Sequence, residues 1–137
     1  MTQSILSGSC LCGAVRYEIS GEPTKFYHCH CQRCRKATGT GHASNVLVRP
    51  GAIKWIRGEE LIRNFKVPEA QRFTNCFCSV CGSRLPRYVK ETDFIVIPAG
   101  SLDNELTLRP QARIFWASRA NWSCAGQDLP VYPEYAT

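Results

Sequence analysis

Residues 13–20 alternate, with Val15, Tyr17 and Ile19 on one side of an extended chain and Arg16 and Glu18 on the other. That is the pattern of a half-buried strand, and Gly21-Glu22-Pro23 supplies a turn to end it. Residues 43–48 read as a further strand closed by Pro50-Gly51, and 53–56 and 61–65 as two short ones separated by Arg57-Gly58-Glu59-Glu60. Residues 84–90 and 94–97 are two more, the second so uniformly apolar that an interior place in a sheet is expected. Residues 111–116 are the last strong strand candidate, and the tail at 128–133 is expected to run extended over the surface. Residues 32–37 suit one helical turn, stopped by Thr38-Gly39-Thr40-Gly41. Nowhere does an apolar period of 3.6 persist for the length of an ordinary helix. Short strands between glycine and proline turns predict a mainly β domain.

Composition changes this picture at one residue type. Nine of the 137 residues are cysteine, and they cluster: Cys10 and Cys12; Cys29, Cys31 and Cys34; Cys76, Cys78 and Cys81; and Cys124 alone. Disulfides suit secreted proteins, but the count is odd and the first residues show neither a basic start nor a long apolar region. Apolar residues make up 44% of the chain, enough for one domain spanning 1–137 with a single core, and no run approaches a membrane span. The expectation is a cytoplasmic protein whose cysteines hold metal.

The central and last clusters share the spacing C-x-C-x2-C. A C-x2-C knuckle turns both sulfurs inward and supplies one edge of a zinc tetrahedron; a second such unit, or a C-x-C, completes it. Two closed sites would use eight of the nine cysteines, whereas three ligands on one ion would leave a position open for chemistry. Spacing leaves both partitions standing. Gly13 and Gly82 lie where the backbone must pass close to the sulfurs or take a positive φ.

The formal charge is +6, and seven deprotonated thiols with two Zn²⁺ would bring it to about +3. So mild a balance, spread with no polybasic run, suits an anionic small molecule and makes nucleic acid an unlikely partner. Arg33, Arg35 and Lys36 crowd positive charge beside the central cluster, where they can lower thiol pKa or draw in an anion. If Cys29 and Cys31 face a metal, alternation turns His28 and His30 away from it; His42 is a third candidate. Trp55, Trp116 and Trp122 are expected in the core.

Ser9-Cys10-Leu11-Cys12-Gly13-Ala14-Val15-Arg16-Tyr17, His28-Cys29-His30-Cys31-Gln32-Arg33-Cys34-Arg35-Lys36-Ala37-Thr38-Gly39 and Phe77-Cys78-Ser79-Val80-Cys81-Gly82-Ser83 together resemble the glutathione-dependent formaldehyde-activating (GFA) family. That family shares its domain with centromere protein V. Ile114-Phe115, Ser118-Arg119, Trp122 and Asp128-Leu129-Pro130 are similar to its closing motifs. The resemblance implies a β-tent, Mss-four-like zinc-binding fold with two zinc ions. By it, Cys10, Cys12, Cys78 and Cys81 match the structural ligands, and Cys29, Cys31 and Cys34 those of the catalytic zinc. It implies a carbon–sulfur lyase type of enzyme that joins formaldehyde to glutathione as S-(hydroxymethyl)glutathione, the thiol filling the open zinc position. Cys76 departs from the family pattern and is expected near the structural zinc as a spare thiol; Cys124 is expected as a small buried residue. The alternative is a two-zinc structural or binding module without catalysis, with weak nucleic-acid or protein binding.

Overall fold

A computed structural model describes residues 5–123 and 129–136, so the expectations for Cys124 and Asp128 fall outside the described residues. Among the described residues, ten short strands, one α-helix and three single-turn 3-10 helices make up the regular structure, the mainly β architecture that the turn-rich pattern predicts. Strands β1 (Ile5–Ser9), β2 (Arg16–Ser20) and β5 (Ala52–Arg57) form one antiparallel sheet in the order β1-β2-β5. A second sheet runs β10-β3-β4-β9-β8, from β10 (Ala112–Ile114), β3 (Pro23–Cys29), β4 (Ala43–Val48), β9 (Phe94–Pro98) and β8 (Arg87–Val89). Its pairs are antiparallel except β10 with β3, which is parallel. Strands β6 (Ile62–Lys66) and β7 (Thr74–Cys78) pair as a separate antiparallel ribbon.

The alternating face of β2 decides where the core lies. Val15, Tyr17 and Ile19 are all buried; Tyr17 and Ile19 join Leu6 of β1 against Phe26, Val46, Val48, Ile95 and Ile97 of the larger sheet. Strand β9 is interior, between β4 and β8, as its apolar run requires. Residues 53–56 and 61–65 are strands but do not pair with each other: β5 joins β2, and β6 joins β7. Strands β1 and β3 carry no clear alternation, and their register comes from their neighbours. Gly8 faces Tyr17 so closely that a β-carbon there would lie 2.2 Å from the phenol oxygen, which in turn sits 2.6 Å from Ser101 Oγ.

The helix α1 (Gln32–Thr38) begins at Cys31, whose sulfur accepts a hydrogen bond from Cys34 N, and ends at Gly39 in the left-handed conformation. Cys29 therefore ends a strand, Cys31 caps a helix and Cys34 sits in its first turn. No helix among the described residues is long and apolar enough to cross a membrane. The tail is exposed as expected, with Val131 and Tyr135 among its uncovered side chains.

Candidate functional site

Eight described cysteines are free thiols, and seven of them gather in two groups. In the first, the sulfurs of Cys10, Cys12, Cys78 and Cys81 all lie within 4.8 Å of one another. Two turns of the same design bring them together. In each, a glycine directly follows the last cysteine, takes φ of 78°, and donates its N–H to the carbonyl of the first: Gly13 N to Cys10 O at 3.0 Å, and Gly82 N to Cys78 O at 2.8 Å. Backbone N–H groups also point at the sulfurs, from Val15 to Cys10 at 3.3 Å and from Val80 to Cys78 at 3.4 Å. Such donors stabilise sulfur in its anionic form. The Ser83 hydroxyl, 3.2 Å from Cys81 Sγ, draws that thiol down to about 5.

The end of β5 clamps the first of these turns. Arg57 donates to Gly13 O from Nη2 at 2.8 Å and from Nε at 3.2 Å. Gly58 then packs directly on the chain that follows, where an added β-carbon would stand 2.2 Å from Ala14 O.

The second group is Cys29, Cys31 and Cys34, again with all sulfurs within 4.8 Å. Ala43 packs on it from β4, with Phe73 and Ile114 beside it. The hydrogen bond with Cys34 draws Cys29 down to about 6 against the effect of burial, with Arg84 adding to the pull. The same bond and burial hold Cys34 well above the ordinary thiol range. Three thiols this close cannot all ionise on their own charge; a cation among them would remove the conflict. Either group can hold a soft or borderline metal ion, and an all-thiolate donor set fits zinc.

The surroundings of the two groups differ in charge rather than in access alone: Cys12 is exposed, and Cys10 borders a hollow of about 530 Å³ with Ser83, Arg84 and Asp103. Cys29, Cys31 and Cys34 stand in the wall of a cavity of about 710 Å³. Arg33, Arg72, Arg84 and Arg87 line it, with Asn45 and Phe115. Arg84 is half-buried and fixed by its Nε, which donates to Asn75 Oδ1 at 2.8 Å. Phe115 is 62% exposed and holds φ of 54°, a left-handed backbone that a bulky residue rarely adopts.

The GFA family model, described as glutathione-dependent formaldehyde-activating enzyme, matches residues 5–118. A Halomonas elongata protein named "Putative glutathione-dependent formaldehyde-activating enzyme" is 35% identical over 119 residues, covering 80% of this chain and 73% of that one. The chain belongs to the GFA family. A crystal structure of a Rhodobacter sphaeroides protein resembles it with a TM-score of 0.55, over 78% of this chain and 98% of that one, at 20% identity. That likeness speaks to the fold.

Within this GFA domain, the structure brings Cys10, Cys12, Cys78 and Cys81 together in one place and Cys29, Cys31 and Cys34 in another, and neither group takes in a histidine. The three histidines instead meet one another. His28 and His42 stack at 4.0 Å, and His30 lies 5.1 Å from His42 and edge-on to Trp116 at 4.9 Å. His30 is buried, and burial lowers the pKa of all three. Cys76 does neighbour the four-cysteine group, in one apolar cluster with Cys10, Val15, Cys78 and Leu85, yet stays outside its set of sulfurs; burial pushes it up to about 11. Trp55 packs against the core as expected, but Trp122 does not: it is 65% exposed and lies over Gly41, the room a side chain there would need.

Of the basic residues singled out beside the cluster, Arg33 borders both the cavity and a neighbouring hollow, whereas Lys36 borders only the hollow, with Phe65. No sequence motif singles out Arg72, Arg84 or Arg87, and Phe115 belongs to a closing motif that gives it no role. The arginines reach the cavity from just before β7, the chain that leaves the second knuckle and the start of β8, and Phe115 from just after β10, which no spacing rule encodes.

Proposed function

We propose that this GFA-family chain is a zinc-dependent enzyme of the carbon–sulfur lyase type, acting on glutathione or a related thiol adduct in the reducing cytoplasm. Cys10, Cys12, Cys78 and Cys81 would hold a structural zinc, and Cys29, Cys31 and Cys34 a reactive one. The first group joins the turn after β1 to the knuckle after β7, which supports one zinc-binding domain. The observation that carries the proposal is the contrast in ligand number: a complete set of four sulfurs in one place, and three beside a cavity in the other.

In the forward direction the thiol sulfur adds to the carbon of formaldehyde. One C–S bond forms, the C=O bond becomes a C–O single bond, and the proton from sulfur ends on that oxygen. Zinc, when bound, would keep the substrate sulfur deprotonated at neutral pH and fix its position. The protein's part is to hold three sulfurs on a rigid frame, a strand end, a helix cap and a helix turn, and to line the cavity with positive charge that favours an anionic thiol. Exchange of the hydroxymethyl adduct, followed with zinc-loaded protein and glutathione, should be faster than without protein, and Cys31→Ser should remove the acceleration. Equal rates for the two proteins would sink the enzymatic reading.

A further inference from the structure

The cavity beside Cys29, Cys31 and Cys34 is unevenly charged. Four arginines line it against a single carboxylate, Glu69. Arg84 is half-buried in this wall. Its backbone is bridged to Phe77, its Nε is committed to Asn75, and it comes close enough to Cys29, Cys31 and Cys34 to be felt by all three. The negative groups that act on it are thiols, Cys76 included, rather than acids. Arg87 is within electrostatic reach of both Arg84 and Arg72 and of one acid, Glu91, so positive charge predominates along this wall. A guanidinium stays charged at any physiological pH, and setting half-buried Arg84 and Arg87 beside exposed Arg72 and Arg33 in one concavity costs free energy that an anion would offset. A carboxylate matches that need, because a guanidinium can grip it through two parallel hydrogen bonds.

We propose that Arg84, supported by Arg72 and Arg87, binds a carboxylate of the thiol substrate and so restricts this site to thiols that carry one. The inference rests on the reading of Cys29, Cys31 and Cys34 as a metal group open to a substrate sulfur. The sulfur then sits at the cysteine end of the cavity and the carboxylate at the arginine wall. Small neutral thiols reach the metal group but lack the second hold.

The test loads the full chain with cobalt in place of zinc and follows its visible absorption during titration with three thiols: glutathione, glutathione with both carboxylates amidated, and 2-mercaptoethanol. All three should change the spectrum, with glutathione about ten- to a hundredfold tighter than its diamide, the range set by one lost charged hydrogen-bonding pair. Arg84→Gln should bring glutathione to the diamide's affinity and leave the other two thiols unchanged. Arg72→Gln, at an exposed position that the fold does not need, should weaken glutathione by a smaller factor. Equal affinity of glutathione and its diamide for the unaltered protein overturns the inference while leaving the open metal group intact. So does an Arg84→Gln variant that weakens all three thiols equally, because Arg84 would then be acting on sulfur. A spectrum indifferent to every thiol overturns the open group itself, and this inference with it.

Discussion

The two cysteine groups use one residue type and similar spacings, yet the chain treats them differently. The four-cysteine group is braced from outside: glycine turns on both sides, backbone N–H groups aimed at sulfur, and Arg57 gripping Gly13. The three-cysteine group has one such N–H, from Cys34 to Cys31 Sγ, is backed by α1 and β4 with Phe73 and Ile114 beside it, and fronts on a cavity with an arginine wall. The difference teaches that ligand number alone does not separate a structural from a reactive site; the charge of the surroundings does so as well.

The largest expected effect breaks one group and spares the other. Cys78 is fully buried, and where metal binding and folding are one event the metal contributes roughly 10 kcal/mol or more. Cys78→Ser should therefore give a protein without a cooperative thermal transition. Cys31→Ser should keep such a transition and lose one metal ion, measured by metal analysis of the purified chain. Similar collapse in both variants would erase the distinction.

Glycines test the bracing on each side. Gly58→Ala places a β-carbon against Ala14 O and strains a φ of 82°, at the point where β5 supports the Cys10–Cys12 turn. A loss of about 3 kcal/mol is expected, and a lower affinity for the first metal. Gly39→Ala, at the end of α1, meets open space and should cost only about 1 kcal/mol for its left-handed backbone. Chemical denaturation of the zinc-loaded variants measures both.

Protons report on the open group. Cys34 is held above the ordinary thiol range, so it carries its proton at pH 7.5, while Cys29, drawn down to about 6, does not. Filling the three-cysteine group should release at least about one proton per ion, so its metal affinity rises with pH. Calorimetry in buffers of different ionisation enthalpy gives the number released.

The smallest effect concerns the cavity rim. The four-cysteine group meets its need for left-handed backbone with Gly13 and Gly82, but the rim spends a phenylalanine there. Phe115→Gly should stabilise the fold by about 1 kcal/mol, seen in the thermal midpoint, while weakening glutathione binding. Phe115→Ala keeps the strain and loses the ring, so it should show the second effect without the first.

Much of this was legible in the chain. The alternation through Val15, Tyr17 and Ile19 located the core, and the glycines after Cys12 and Cys81 marked both knuckles. Ligand grouping needed the family resemblance, since C-x-C-x2-C at Cys76, Cys78 and Cys81 permits more than one partition; the fold places Cys76 beside the sulfurs but outside their set. Strand β3 was hidden because it lies between two neighbours while keeping polar residues such as Lys25 and His28. The arginine wall was hidden for another reason: Arg72 lies before β7, Arg84 in the chain after the second knuckle and Arg87 at the start of β8, so no single strand period carries the three together. Trp122 shows the same limit from the other side, since an aromatic residue follows its neighbours rather than its hydrophobicity.

The central claim is that the chain holds two thiolate-bound metal ions, one closed and one open to a substrate sulfur. Cadmium NMR of the cadmium-loaded chain, recorded before and after addition of glutathione, tests it most directly. Two signals are expected, one at the position of a four-sulfur site and unmoved by glutathione, the other moving toward that position as the thiol binds. A single signal, or two that both ignore glutathione, would contradict the account.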